Sequence, residues 1–186
     1  MPALRGIFSI KSSLLLAKPT VSSERPMFLY SQLKNDALEP ILMAYSMRII
    51  ELSENQHIPY SFWGESEAGR LRDTLYVRGD TPLHSVLHEL CHYICMPNTE
   101  RAKDLVDAAG SAAEENACCF FQIVLAGFID SYDQSRLLQD MDTWGYSFRL
   151  GSAIRWYTED AEDTRQWLIE QQVLLPNNQP TWQLRN

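Results

Sequence analysis

The sequence predicts an α+β fold that is mostly helical and carries a small antiparallel sheet. Apolar residues recur at spacings of three and four in several segments, and two short segments rich in aromatic and β-branched residues flank a turn. A chain of 186 residues, 45% of them hydrophobic, is long enough for one packed core. We therefore expect one domain over residues 26–186, preceded by a weakly ordered arm at residues 1–25.

Charge and hydropathy argue against two kinds of partner. The formal net charge is -8, and no run of lysine and arginine offers the basic surface that nucleic acid needs. No apolar run reaches the roughly 18 to 20 residues that cross a bilayer, and the longest, Phe120 to Ile129, contains Gln122. The sequence therefore predicts a soluble protein with no nucleic-acid or membrane partner, and it leaves the oligomeric state open.

The arm and the cysteines bear on the cellular compartment. The arm contains Arg5, Lys11 and Lys18 and no acid before Glu24, which also fits an organelle transit peptide. The four cysteines fall inside predicted helices rather than at the loop spacings of a secreted disulfide framework. They are Cys91, Cys95, Cys118 and Cys119. We expect a cytoplasmic protein with free thiols buried as small hydrophobic side chains; a redox switch near a metal is the alternative role.

The first part of the domain is predicted to contain two helices and two strands. "PILMAYSMRIIELSEN", with Pro40 in its first turn, carries an apolar stripe and predicts a helix. "IPYSFWGES" and "DTLYVRGD" are typical of strands joined by a turn at "EAGRLR", the second strand lying near Thr74–Arg78. The next helix is expected over Pro82–Cys95, with Asp80 or Thr81 as its cap.

Within that helix, "HELCH" is the feature that indicates chemistry. His88 and His92 are four residues apart, so one helix face directs both imidazoles at one point, as in a pair of metal ligands. Glu89 is placed to reach a water on the metal without binding the ion, which is the H-E-x-x-H arrangement of zinc hydrolases. His84 extends the row but begins about 12 Å of helix rise from His92. We expect His84 beside the site, in contact with substrate or on the surface.

A catalytic zinc ion needs a third protein ligand, and the next predicted helix offers two acids. "GSAAEENACCFFQIVLAGF" is expected to be a buried helix with Glu114 and Glu115 in its first turn. Glu114 also fits a capping box with Ser111, and Glu115 also fits an acid that the helix dipole favours. Both acids therefore remain candidate metal ligands.

The pair "HELCH" and "EENACCF" resembles the gluzincin class of zinc metallopeptidases, above all the minimal cores of the Ste24-like peptidases and of the small bacterial peptidases that cut repressor proteins. In those families an alanine and an aromatic residue follow the ligand glutamate, a pattern that here selects Glu114 with Ala117 and Phe120. Those families often place Asp or Asn four residues after the ligand, where this chain has Cys118. The resemblance implies a zincin-like domain with zinc as its cofactor.

This resemblance implies a hydrolase, specifically a zinc metallopeptidase acting on a peptide or protein substrate. Glu89 would serve as general base for a metal-activated water. In zincin-like folds the strand before the motif helix, here Thr74–Arg78, borders the cleft and can pair with an extended peptide. Oxyanion-stabilising candidates are Tyr146, Tyr157 and Arg155, and their spacing selects none of them.

A second resemblance points to different chemistry. "HELCHYICMPNTERAKDLVD" is loosely similar to the motif region of elongation factor P hydroxylase, a family that implies iron and oxygen chemistry. Two histidines and one carboxylate serve both zinc hydrolases and non-haem iron oxygenases, so these ligands do not identify the metal. A catalytically inactive metal-binding interaction module is the third hypothesis.

The C-terminal third is predicted to be helical and then extended. "DQSRLLQDMDTW" and "TEDAEDTRQWLIEQQ" each predict one helix, and we expect Trp156, Trp167 and Leu168 to lie in the core. "PNNQPTWQLRN" is expected to be a tail.

Overall fold

The computed structural model describes residues 26–34, 36–61, 64, 66–101 and 110–186, so the predicted arm at residues 1–25 lies outside the described residues. The described chain is α+β and mostly helical, as predicted, with seven α-helices and three strands after a short 3₁₀ turn. The elements are α1 Glu39–Ala44, β1 Arg48–Leu52, β2 Gly69–Leu71, β3 Thr74–Arg78, α2 Leu83–Cys95, α3 Asn98–Arg101, α4 Ala112–Ala126, α5 Gln134–Trp144, α6 Ala153–Glu159 and α7 Glu162–Glu170.

The sheet is mixed, and the prediction of an antiparallel sheet was wrong. Its strand order is β1-β3-β2, with β1 parallel to β3 and β2 antiparallel to β3. A two-residue turn at Arg72 and Asp73 joins β2 to β3, which makes them a hairpin. The longer connection from β1 to β3 leaves room for a crossover, so these two strands run in the same direction. The central strand β3, predicted to pair with a peptide, therefore has both of its edges occupied.

The first predicted helix ends early. α1 stops at Ala44, Ser46 takes a positive φ of 55°, and the chain continues as β1. The helical periodicity of this segment did not reveal that its second half is a strand, which is stabilised by pairing with β3. The predicted turn "EAGRLR" contains β2, whereas the described residues of "IPYSFWGES" do not form a strand.

The two helices predicted to carry the site are present. α2 begins one residue after the predicted start, with Pro82 at its N-cap position. Neither predicted cap serves it, because Thr81 Oγ1 accepts from the Arg78 backbone N–H and Asp80 pairs with the Arg78 guanidinium. α4 has the predicted capping box at Ser111, and both helices pack into the core.

The C-terminal part differs from the prediction in two ways. The single helix predicted for "TEDAEDTRQWLIEQQ" is replaced by α6 and α7, which are separated near Asp160. The predicted tail instead packs against the domain, because Trp182 contacts Tyr45 and the Arg185 backbone N–H donates to Ile94 O at 3.0 Å. The predicted core positions in this part of the chain are confirmed, since Trp156 and Leu168 are buried and Trp167 packs against the core.

Within the described part of the chain, none of the helices has both the length and the apolar character needed to cross a membrane.

Candidate metal centre

α2 presents its two motif histidines on the face that meets α4. The apolar stripe of this helix is fully buried and sets its orientation, and it comprises Leu83, Leu87, Leu90 and Ile94. His88 and His92 lie one turn apart beside this stripe, with side chains 14% and 10% exposed. Both imidazoles are therefore largely, but not completely, shielded from water.

Three donor atoms meet between α2 and α4. The Nε2 atoms of His88 and His92 lie 3.0 Å apart. The Oε2 atom of Glu115 lies 3.8 Å from His88 Nε2 and 3.7 Å from His92 Nε2. These three residues offer ligand atoms that all lie within 4.8 Å of one another, and no other such group occurs among the described residues.

This spacing fits a metal ion. Ligand atoms at about 2.0 to 2.2 Å from a tetrahedral zinc ion are roughly 3.3 to 3.6 Å apart. The three separations of 3.0, 3.7 and 3.8 Å bracket that distance. Two imidazole nitrogens and one carboxylate oxygen are also a donor set suited to zinc or to non-haem iron. Three protein ligands would leave a fourth position for water or substrate.

Glu115, rather than Glu114, lies beside the histidines. Glu114 is engaged elsewhere: its Oε2 accepts from the Ser111 backbone N–H at 2.7 Å, and its Oε1 pairs with Arg185. The two acids are neighbours on a helix and so point about 100° apart. The resemblance favours Glu114, whereas the geometry places Glu115 beside His88 and His92, because the capping box and Arg185 hold the Glu114 carboxylate elsewhere.

Glu89 follows His88 on α2 and does not belong to the three-donor cluster. Its Oε2 lies 3.7 Å from Arg70 Nε on β2, and its side chain is 21% exposed. Burial lowers the pKa of Arg70, and the Glu89 carboxylate opposes that shift. The sequence predicts a turn at "EAGRLR" and does not indicate a role for Arg70. An arginine in a short segment just before a strand gave no signal that it would contact the motif helix.

The thiol of Cys118 lies behind His92. Cys118 Sγ is 3.5 Å from His92 Nδ1, the ring nitrogen that faces away from the three-donor cluster. This thiol therefore lies where metalloproteins commonly place a partner that orients a ligating histidine. All four cysteines are free and buried, as predicted. Burial raises the pKa of the Cys118 thiol, as does its hydrogen bond with Cys95.

His84 is buried in an aromatic environment and lies outside the cluster. Its Nδ1 is 3.4 Å from the Tyr146 hydroxyl, and its ring packs against Trp144 at 5.1 Å. Burial, and next the charge on His88, lower the pKa of His84 to about 3. The possibility that His84 is a surface residue is therefore excluded.

Of the three oxyanion candidates, only Tyr146 lies close to the site. Its ring centroid is 6.0 Å from that of His88. Tyr157 instead packs on Phe120, and Arg155 is exposed and paired with Glu159. The structure therefore brings together His88, His92 and Glu115 as donors, with Glu89 and Tyr146 nearby.

Comparisons with family models, with curated proteins and with solved structures found no match to this chain.

Proposed function

We propose that this protein is a metal-dependent hydrolase in which His88, His92 and Glu115 hold the ion and Glu89 is the general base. One observation carries the proposal: donor atoms from two helices converge within 4.8 Å, and the central glutamate of the motif stays outside that group. A ligand set with a separate carboxylate beside it is the minimum that metal-assisted hydrolysis requires.

Each residue of the site has a distinct role in the proposed hydrolysis. A zinc ion held there would supply Lewis-acid chemistry, activating a water and polarising the substrate carbonyl. His88 and His92 provide neutral nitrogen donors, and Glu115 adds one negative charge. Glu89 accepts the proton of the attacking water and later delivers it to the leaving group. The Arg70 cation, 3.7 Å from Glu89, favours the charged carboxylate that can accept this proton.

A peptide is the substrate class that this arrangement favours, and the proposed reaction is that of a zinc metallopeptidase with a zincin-like centre. β3 cannot bind an extended peptide because β1 and β2 occupy both of its edges. β2 is an outer strand, and its Arg70 lies next to Glu89. A peptide bound near Arg70 would therefore lie close to the general base.

Metal analysis of the purified protein tests the proposal. We expect about one equivalent of zinc, and loss of that zinc in His88→Ala and His92→Ala. Iron in place of zinc would instead favour the hydroxylase alternative, which the same donor set supports. Absence of any metal, with no binding after reconstitution, would reject the enzyme proposal and leave an interaction module.

Glu89→Gln separates binding from catalysis. The variant should retain its metal, because Glu89 is not one of the three donors, and should lose at least about 100-fold in hydrolysis, because an amide cannot accept the proton. Zinc content and cleavage of a fluorescence-quenched peptide library are the two measurements. Glu162→Gln, at an exposed position on α7, is the control and should behave as the parent. Equal hydrolysis by Glu89→Gln and the parent would remove Glu89 from the mechanism.

A further inference from the structure

Arg185 joins the two helices that carry the candidate metal ligands. Its backbone N–H donates to Ile94 O at 3.0 Å, and its Nη1 donates to Cys95 O at 3.0 Å. The same Nη1 donates to Glu114 in the first turn of α4. One residue therefore contacts the end of the helix with both histidines and the start of the helix with the ligand glutamate.

Two arginines satisfy the carbonyl groups at the end of α2. The last carbonyls of a helix have no partner within it and carry partial negative charge. Arg101 Nη1 donates to Tyr93 O at 3.1 Å and also to Met96 O. The Arg185 backbone N–H donates to Ile94 O, and Arg185 Nη1 donates to Cys95 O. The Arg101 side chain also donates to the backbone carbonyl of Arg185, which links the two residues. The end of α2 is thus held by contacts with two arginines rather than by a glycine cap.

The ion pair of Arg185 with Glu114 is largely shielded from water. The two side chains are 18% and 16% exposed, so the pair is screened less than a surface ion pair. Arg185 is itself held by Gln171 Oε1 at 2.8 Å and by the Trp167 ring, whose centroid lies 4.8 Å away. These contacts hold the Arg185 side chain in a defined position.

Among the described residues, apolar packing leaves a gap between the two helix ends. A small pocket lies there, and its walls include His92, Glu114 and Cys118. Interior packing that holds helices rigidly leaves few such voids. At this end of the α2–α4 contact the polar contacts of Arg185 link the two helices, and His92 lines the adjoining pocket.

We propose that Arg185 is a positioning residue for the metal centre, acting through Glu114 on the ligand Glu115. This inference rests on the metal function proposed above. Glu114 and Glu115 are adjacent, so a displacement of the first turn of α4 moves the Glu115 carboxylate relative to the histidines. Productive metal geometry tolerates only about 0.5 Å of such displacement. Loss of the Arg185 contacts should therefore weaken metal binding without removing any ligand.

The test compares metal affinity in Arg185→Ala with that in a matched control. Arg165→Ala is the control, because Arg165 also bonds to the C-terminal region, at Asn178 and Pro176 O, but among the described residues it makes no hydrogen bond or ion pair with α2 or α4. Zn²⁺ affinity is measured by chelator competition at a temperature at which both apoproteins are folded by circular dichroism. Co²⁺ absorption reports the ligand geometry. We expect about tenfold weaker Zn²⁺ binding and an altered Co²⁺ spectrum for Arg185→Ala only.

Each outcome bears on one of the two proposals. Equal Zn²⁺ affinity in Arg185→Ala and the parent would overturn the positioning role while leaving the metal function intact. Equal losses in both arginine variants would also overturn it, since the effect would then be general. A parent protein that binds no Zn²⁺ or Co²⁺ would reject both, the metal function first. If Arg185→Ala does not fold, Arg185→Lys replaces it, because lysine keeps the charge but cannot contact two acceptors in a forked geometry.

Discussion

Two adjacent glutamates take different roles because a helix points them in different directions. Glu115 faces His88 and His92, whereas Glu114 caps its own helix and pairs with Arg185. Both residues are acids in the first turn of α4, so residue type alone does not distinguish them. The difference lies in which neighbours each carboxylate meets.

Substitution of each glutamate tests this assignment. Glu115→Gln should lower Zn²⁺ affinity by about 100-fold or more, because it removes the negative charge from the donor set. Glu114→Gln should lower it by no more than about tenfold, because its effect is indirect. Chelator competition on both variants is the measurement, and each variant serves as control for the other. A larger loss in Glu114→Gln would return the ligand role to the residue that the resemblance favoured.

Cys118 offers a second test at the level of one side chain. A partner on the outer nitrogen of a ligating histidine commonly contributes 10- to 100-fold to metal affinity, and a thiol is a weak partner. Cys118→Ala should therefore weaken Zn²⁺ binding by about tenfold. Cys91→Ala removes an equally buried thiol from α2, and no hydrogen bond to His92 is lost with it among the described contacts, so it is the control. Identical affinities in the two variants would mean that the thiol only fills space.

At the level of secondary structure, β2 depends on the absence of a side chain at Gly69. A Cβ there would lie 1.9 Å from Pro59 O and 2.8 Å from Ser61 N, both backbone atoms. The segment containing Pro59 therefore passes directly against the strand. This close approach positions the neighbouring Arg70, which lies beside Glu89.

Gly69→Ala should consequently destabilise the protein by about 1 to 3 kcal/mol, the usual cost of overpacking. Urea denaturation followed by circular dichroism gives the free energy of unfolding. Gly79→Ala is the matched control, because a Cβ at Gly79 would lie 3.4 Å from Ser31 Cβ, close to an ordinary contact. Similar unfolding free energies for the two variants would show that the backbone near Pro59 can shift without lowering the stability of the protein.

For the whole molecule, a buried neutral histidine makes stability depend on pH. The folded-state pKa of His84 is about 3, whereas its unfolded value is near 6.5. The unfolded chain therefore binds a proton that the folded chain does not, so stability contributed by neutral His84 is lost as pH falls below about 6.5. The slope should approach about 1.4 kcal/mol per pH unit between about pH 6 and 4.

His84→Phe isolates this effect. Its apoprotein should lose less unfolding free energy than the parent apoprotein between pH 7 and pH 5, because Phe has no proton to gain. Denaturant unfolding in the presence of a chelator is the measurement, so that metal binding does not contribute. Parallel pH profiles for the two proteins would show that His84 is not the buried titrating group.

Local patterns in the sequence determined the α+β class, the helix bearing "HELCH", the capped helix after it and the placing of two histidines on one helix face. These features depend on spacings of three or four residues along one helix, which are set by helix geometry regardless of the rest of the chain. The capping box at Ser111 was likewise readable, because its two partners are three residues apart.

Only the tertiary structure decided the features that join distant parts of the chain. The parallel pairing of β1 with β3, the choice of Glu115 over Glu114, the approach of Arg70 to Glu89 and the binding of Arg185 between two helices all involve such contacts. Each depends on which surfaces of the helices and strands meet when the core packs. The spacing of residues along the chain does not indicate which surfaces will meet. The sequence determined which residues could bind a metal, and the packing of α2 against α4 decided which of them meet.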